Sequence, residues 1–356
     1  MIRISKTAKR NRKGLVFSTR GKDTPFEGGR DGSGNNPFGK INYFDEEVPP
    51  SVSDRNKKRK TRPRVGLALS AGGARGLAHV GVIQVLEENG ITVDCVAGSS
   101  MGAYVGACWC GGHGGKKLEE IALSHRGNFG PWKLLDLAWF FRRGLIHGNK
   151  LETSLRERIG DMSFRQMNRP FAISATRFDT LEPIVMKTGD VASAARASCS
   201  MPGICVPSER KGIELFDGGM TDPLAISALA SLGVDRIIAC CALRDPRHKR
   251  LHLRRKRLTS PRFRSFLRLL NVRLNPFAKG NVYDIVMRAV EAAQHRVLER
   301  DIIVPDVVIR PATTRLRWYA FHKPELYLEA GRRAAESQLD SIRALIETPM
   351  KKRSPS

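Results

Sequence analysis

Residues 65–108 constrain this chain most. A short apolar run, VGLALS (65–70), ends in the glycine-rich turn AGGARG. Ala78, Val82, Val85 and Leu86 follow at i, i+4, i+7 and i+8, the spacing of an amphipathic helix, and Asn89-Gly90 stops it. A second apolar run, TVDCVAG (92–98), meets Ser99-Ser100 and then a helix of small residues from Gly102 to Cys108. Strand, glycine loop, helix, strand, tight turn and helix spell an α/β fold, with parallel strands covered by helices on both faces.

The rest of the chain continues the pattern. PFAISATRFD (170–179), EPIVMKTG (182–189), IELF (213–216), RIIACCAL (236–243) and VVIRP (307–311) read as strands. Residues 190–199, 223–232, 282–299 and 325–346 read as helices. Asn149, with Glu152 three residues on, reads as a helix N-cap with its capping-box partner. Residues 1–62 are polar, glycine-rich and without periodicity, which predicts a disordered basic arm. The ordered domain is expected over 63–346, with motifs concentrated in 65–232 and a short tail at 347–356.

Of the 356 residues, 61 are Lys or Arg and 35 Asp or Glu, a formal net charge of +26. Residues 1–64 hold 17 Lys/Arg against 7 Asp/Glu, and residues 247–282 hold 12 Lys/Arg and no acid. Those two segments carry most of the excess. It favours polyanionic neighbours, either an anionic membrane surface or nucleic acid bound nonspecifically. Within 247–282, Phe263, Phe266, Leu267 and Leu270 interleave with arginines at helical spacing, as in a basic amphipathic helix. No run of 18 apolar residues is present, and the basic N-terminus lacks the apolar centre of a secretory leader. The expected location is the cytoplasm, with peripheral membrane contact. The seven cysteines form no CxxC pair and read as reduced thiols, not as disulfides or zinc ligands.

Three short constellations carry chemistry. Ser70 to Gly76 lies between a strand and a helix, where backbone N–H groups can face an anion. Such a loop suits a cofactor phosphate or an oxyanion equally. A dinucleotide site is disfavoured, since Ala71 breaks GxGxxG and Asp94 opens its strand instead of ending it. Gly98-Ser99-Ser100-Met101-Gly102 matches GxSxG, whose glycines permit a cramped strand-to-helix turn that lifts a serine hydroxyl; a plain serine-capped helix is the alternative. Asp217-Gly218-Gly219 follows a strand and alone is equally an ordinary turn.

Together, and in this order, the three motifs resemble the patatin-like phospholipase family. GLALSAGGARGLAHVGVIQVLEENGI is similar to that family's opening block, and RASCSMPGI (196–204) to an internal one. The likeness extends over roughly 65–345. It implies a three-layer α/β/α sandwich with a mostly parallel central sheet, and a Ser–Asp dyad that hydrolyses acyl esters with no metal or organic cofactor. Ser100 matches the nucleophile and Asp217 the general base. The N–H groups of Gly72, Gly73 and Ala74 match the oxyanion hole. Arg75, Gly76, Gly98, Gly102, Gly218 and Gly219 match supporting positions. Ala71 stands where the family usually has glycine, and alanine there is costly if the loop needs φ above zero.

The implied substrate is an acyl lipid: phospholipid, lysophospholipid or carboxylic ester. Two alternatives stay open. One is a Ser–Asp–His triad using His248, His252, His295 or His322. The other is a non-enzymatic scaffold of the same fold that works through its basic segments. His79 reads as a loop support. The aromatic stretch 128–146 reads as core, with an acyl-chain wall as the second reading.

Overall fold

The computed structural model describes residues 42–43, 62–124, 126, 136, 143–244, 281–300, 303–313 and 316–348, all within the compact unit Phe38–Ser356. The N-terminal arm other than Asn42–Tyr43 and Arg62, the aromatic stretch up to 142 other than Asp136, the basic insertion up to 280 and the tail beyond 348 lie outside the described residues.

The elements in chain order are β1 (Asn42–Tyr43), β2 (Val65–Leu69), α1 (Ala78–Glu88), β3 (Cys95–Ser99), α2 (Met101–Cys110), α3 (Gly115–Leu123), α4 (Asn149–Ile159), β4 (Phe171–Arg177), β5 (Pro183–Met186), α5 (Val191–Ser198), β6 (Ser208–Arg210), β7 (Ile213–Asp217), α6 (Ile226–Ala230), β8 (Arg236–Cys240), α7 (Val282–Arg300), β9 (Val307–Ile309), α8 (Pro324–Glu336) and α9 (Leu339–Glu347). The sheet runs β1-β5-β4-β3-β2-β8-β9, with β7 paired to β4 and β6 to β7. Its spine β4-β3-β2-β8-β9 is parallel, whereas β5, β6 and β7 pair antiparallel.

Strand alternation builds the layers. Leu67, Leu69, Val96, Phe171, Ile173 and Ile238 point into one buried cluster, with Val82, Val105 and Leu155 of the covering helices. Ala68, Ala97, Ala172, Ile237 and Ala239 point into the other, against Leu224, Ala228 and Leu229 at α6 and, more peripherally, Leu298 of α7. Side chains buried on both faces make this an α/β/α sandwich.

The two edges of β4 pair differently along its length. On one side of β4, residues 173–176 pair with β5. On the other side, 171–174 pair with β3 and 175–177 with β7. β3 and β7 therefore run toward each other along one edge of β4. Ser99 lies opposite Ser174, and Asp217 lies opposite Ala175.

Several sequence expectations need correction. Asn42–Tyr43, within the stretch expected to be disordered, pairs in parallel with Ile184–Val185. α4 is not capped by the Asn149 side chain: the Asp136 carboxylate accepts the N–H groups of Gly148 and Asn149, both at 2.7 Å. The helix expected over 223–232 shrinks to α6, because the Asp222 carboxylate takes the first amides of that helix at Ile226 and Ala228. The long helix expected over 325–346 breaks at Ser337-Gln338 into α8 and α9. No helix among the described residues is long and apolar enough to cross a membrane.

Candidate active site

The turn after β3 is strained. Ser100 has φ 52° and ψ −120°, a conformation few L residues adopt. Ser100 occupies the N-cap of α2, where the helix dipole favours negative charge. Its N–H donates to Ser198 Oγ at 2.8 Å. The backbone conformation is worth roughly 1–3 kcal/mol of strain, which glycine would relieve. Ser100→Gly should therefore be more stable than Ser100→Ala by about 1 kcal/mol in denaturant titration, the reverse of the usual order. Equal midpoints would show that the bend is unstrained.

Asp217 closes β7. Ser100 Oγ donates to its Oδ2 at 2.6 Å, and the Gly219 N–H to its Oδ1 at 2.7 Å. The Asp217 backbone is fixed as well: its N–H donates to Ser200 O at 3.0 Å, and its carbonyl accepts from Thr176 Oγ1 at 2.9 Å. Serine and aspartate are 5% and 3% exposed, so neither is dissolved in bulk solvent. Burial raises the Asp217 pKa from the ordinary 3.8 to about 6, against the opposing hydrogen bonds from Ser100 and Gly219. Gly218 lets the turn pass 2.2 Å from Ser174 O, measured from where a Cβ would stand.

The glycine loop flanks this pair. Positive φ falls on Gly73 (55°), and Ala71 is not among the positive-φ residues. Alanine at 71 thus carries no left-handed penalty. The Ala71 N–H donates to Pro223 O at 2.8 Å. The loop departs from expectation at Ala74, whose N–H donates to Trp318 O at 2.6 Å. An amide already bonded inside the fold is not offered to an anion; of the three loop amides, those of Gly72 and Gly73 make no such bond among the described residues. Arg75 also faces inward. Its guanidinium is 6% exposed and meets Glu291 of α7 at 2.9 Å. Gly76 leaves room for Met101.

His79 is fully buried. Its Nε2 bonds Ser70 O at 2.8 Å, and its Nδ1 lies 3.0 Å from Cys240 Sγ. Burial lowers its pKa to about 4, so it is neutral and supports the start of the loop. Among the triad alternatives, His295 is bonded to Arg244 O, and no histidine among the described residues bonds Ser100 or Asp217. Asp94 holds Arg62 and the Val65 N–H where β2 and β3 begin, at the opposite end of these strands from Ser99.

The block RASCSMPGI does more than the sequence reading assigned to it. Ser198 and Ser200 bind the backbone of the serine and aspartate respectively. Arg196, 5% exposed, donates to Ser200 Oγ and to the carbonyls of His147 and Val206. A small-residue helix just before β7 was the available signal. The partners were invisible because they lie 98 residues and 49 residues away in sequence.

The family model described as patatin-like phospholipase matches residues 67–230. The chain carries a patatin-like phospholipase domain. Curated relatives agree with the assignment. An uncharacterized NTE family protein of Mycobacterium bovis is 35% identical over 195 residues, 53% of this chain and 52% of the relative. Lysophospholipase nte1 of Aspergillus fumigatus is 34% identical over 177 residues, 49% of this chain and 12% of the relative. The chain thus spans about half the length of the mycobacterial relative. Among solved structures, VipD from Legionella pneumophila aligns over 79% of this chain and 67% of its own, with TM-score 0.41 and 13% identity. Ser100, Asp217 and the loop 72–76 all fall within the matched patatin-like stretch. Glu291, Gln294 and Trp318 lie outside it.

Proposed function

We propose that this protein is a serine acyl hydrolase that cleaves fatty-acyl esters through Ser100 and Asp217. The observation that carries the reading is the 2.6 Å hydrogen bond from a strained serine hydroxyl to a buried carboxylate whose pKa is raised to about 6. A carboxylate near 4 is a weak base toward serine; moving it toward neutrality strengthens it while leaving it ionised at pH 7.

Asp217 takes the proton as Ser100 Oγ attacks the ester carbonyl. The N–H groups of Gly72 and Gly73 hold the oxyanion, and the alcohol leaves with the proton from Asp217. Water then cleaves the acyl-enzyme. An apolar cavity between α1, α2 and α3 suits the fatty chain. It is partly open to solvent and is lined by Leu77, Met101, Tyr104, Val105, Leu118 and Phe321. Met101 follows the nucleophile directly. The relatives named lysophospholipase favour a phospholipid or lysophospholipid. The basic segments at 1–64 and 247–282 would hold the enzyme on an anionic membrane face. Free cysteines throughout fit a cytoplasmic setting.

A fluorophosphonate probe tests the assignment. It should label the wild type and leave Ser100→Ala unlabelled, and the labelled peptide should contain residue 100. Label retained by the alanine variant would remove Ser100 from the chemistry. A panel of acyl esters and lysophospholipids then ranks the substrates.

A further inference from the structure

α7 brings a third polar side chain to the dyad. The Arg75–Glu291 ion pair, with both side chains largely covered, clamps α7 to the glycine loop; Arg244 joins the same carboxylate at 3.4 Å. One turn on from Glu291 stands Gln294, which is 8% exposed. A Cβ placed on Gly219 would lie 2.8 Å from Gln294 Nε2, 2.8 Å from Ala71 Cβ and 2.9 Å from Asp217 Oδ1. The amide nitrogen therefore stands within about 5.7 Å of the carboxylate oxygen. Among the described residues nothing bonds the Gln294 amide, although most of its side chain is covered.

The Gln294 amide is not among the fully enclosed side-chain atoms left without a partner, so a water can reach and bond it. One water, with two hydrogen bonds of about 2.8 Å, spans up to about 5.6 Å. A water held in a protein needs at least two polar partners. Asp217 supplies one and the Gln294 amide the other.

We infer that Gln294 holds the water that hydrolyses the acyl-enzyme. The inference rests on the Ser100–Asp217 reading above. Once Ser100 is acylated, its hydroxyl no longer bonds Asp217. Water held between Gln294 and the carboxylate attacks the acyl carbon and gives its proton to Asp217. The bond from Ser100 Oγ to the acyl carbon breaks, Asp217 returns the proton to Oγ, and the fatty acid leaves. Acylation needs no such water, so Gln294 acts on the second half of the cycle alone.

Gln294→Leu tests this with p-nitrophenyl butyrate. The variant should show a burst of nitrophenol close to one per enzyme, then a steady rate about 10- to 100-fold below wild type. Intact mass should show a butyryl adduct on Ser100. Its rate of fluorophosphonate labelling should stay within about twofold of wild type, which also reports that the site is folded. Gln294→Glu, which keeps a hydrogen-bonding group, should recover part of the steady rate. Labelling and turnover falling together without an adduct would overturn the inference and leave the dyad standing, as would unchanged turnover. A wild type that neither labels nor hydrolyses would overturn the dyad and this inference with it.

Discussion

Asp217→Asn is expected to lower ester turnover by roughly 10²- to 10⁴-fold, the range for removing a general base, while making the protein more stable at neutral pH. Both effects come from the same burial. Asparagine keeps the acceptor for the Gly219 N–H but cannot take the Ser100 proton. In the wild type, kcat/KM should rise with pH through about 6 and level off above it, because only the ionised carboxylate is a base.

The stability effect runs the other way. The folded state holds the Asp217 proton more tightly than the unfolded chain, with a pKa of about 6 against 3.8. Its contribution is full below about pH 4 and is lost as pH rises through 6. At pH 7 the wild type carries a buried charge costing roughly 2–3 kcal/mol. The asparagine variant does not carry it. Urea titrations should show the variant ahead by about that amount at pH 7 and level with wild type near pH 4. A variant less stable at pH 7, or turnover with no inflection near pH 6, would contradict this account of the aspartate.

Gly102→Ala is expected to destabilise the fold by about 3 kcal/mol or more, a large part of an ordinary domain's stability. A Cβ there would lie 2.1 Å from Leu69 O and 2.7 Å from Ser70 O. Both are backbone atoms at the end of β2, a strand held on both sides by β3 and β8, so neither can yield as a side chain would. Gly98 is placed alike, with the amide of Ala103 and the carbonyl of Gly102 each 2.5 Å away. The crossing lets the start of α2 pass close enough to β2 to bring Ser100 beside the glycine loop. Denaturant titration of Gly102→Ala should therefore show an early midpoint, with fluorophosphonate labelling lost in whatever fraction stays folded. A wild-type midpoint would mean that α2 can move away from β2 at little cost.

Much of the fold was legible along the chain. Short apolar runs marked β2, β3, β4 and β8, because a parallel strand covered on both faces has no polar side to break the run. Boundaries failed where a distant carboxylate did the capping: Asp136 for α4 reaches across a dozen residues, a contact no local pattern encodes. The break between α8 and α9 falls at Ser337-Gln338, which carries no glycine or proline to announce it.

The amino-acid sequence by itself specified the local chemistry: glycines where backbones must cross, a serine on a cramped bend, an aspartate released by two glycines. Only folding decided which of these meet. β3 and β7 approach along one edge of β4 from opposite directions, so residues 117 apart come within a hydrogen bond, and pairing register is a property of three strands at once. Folding likewise turned the Ala74 amide to Trp318 and brought Glu291 and Gln294 to the loop. Those contacts join segments more than 200 residues apart, and their energy comes from burial and directed polar pairing, which exist only once the layers have closed.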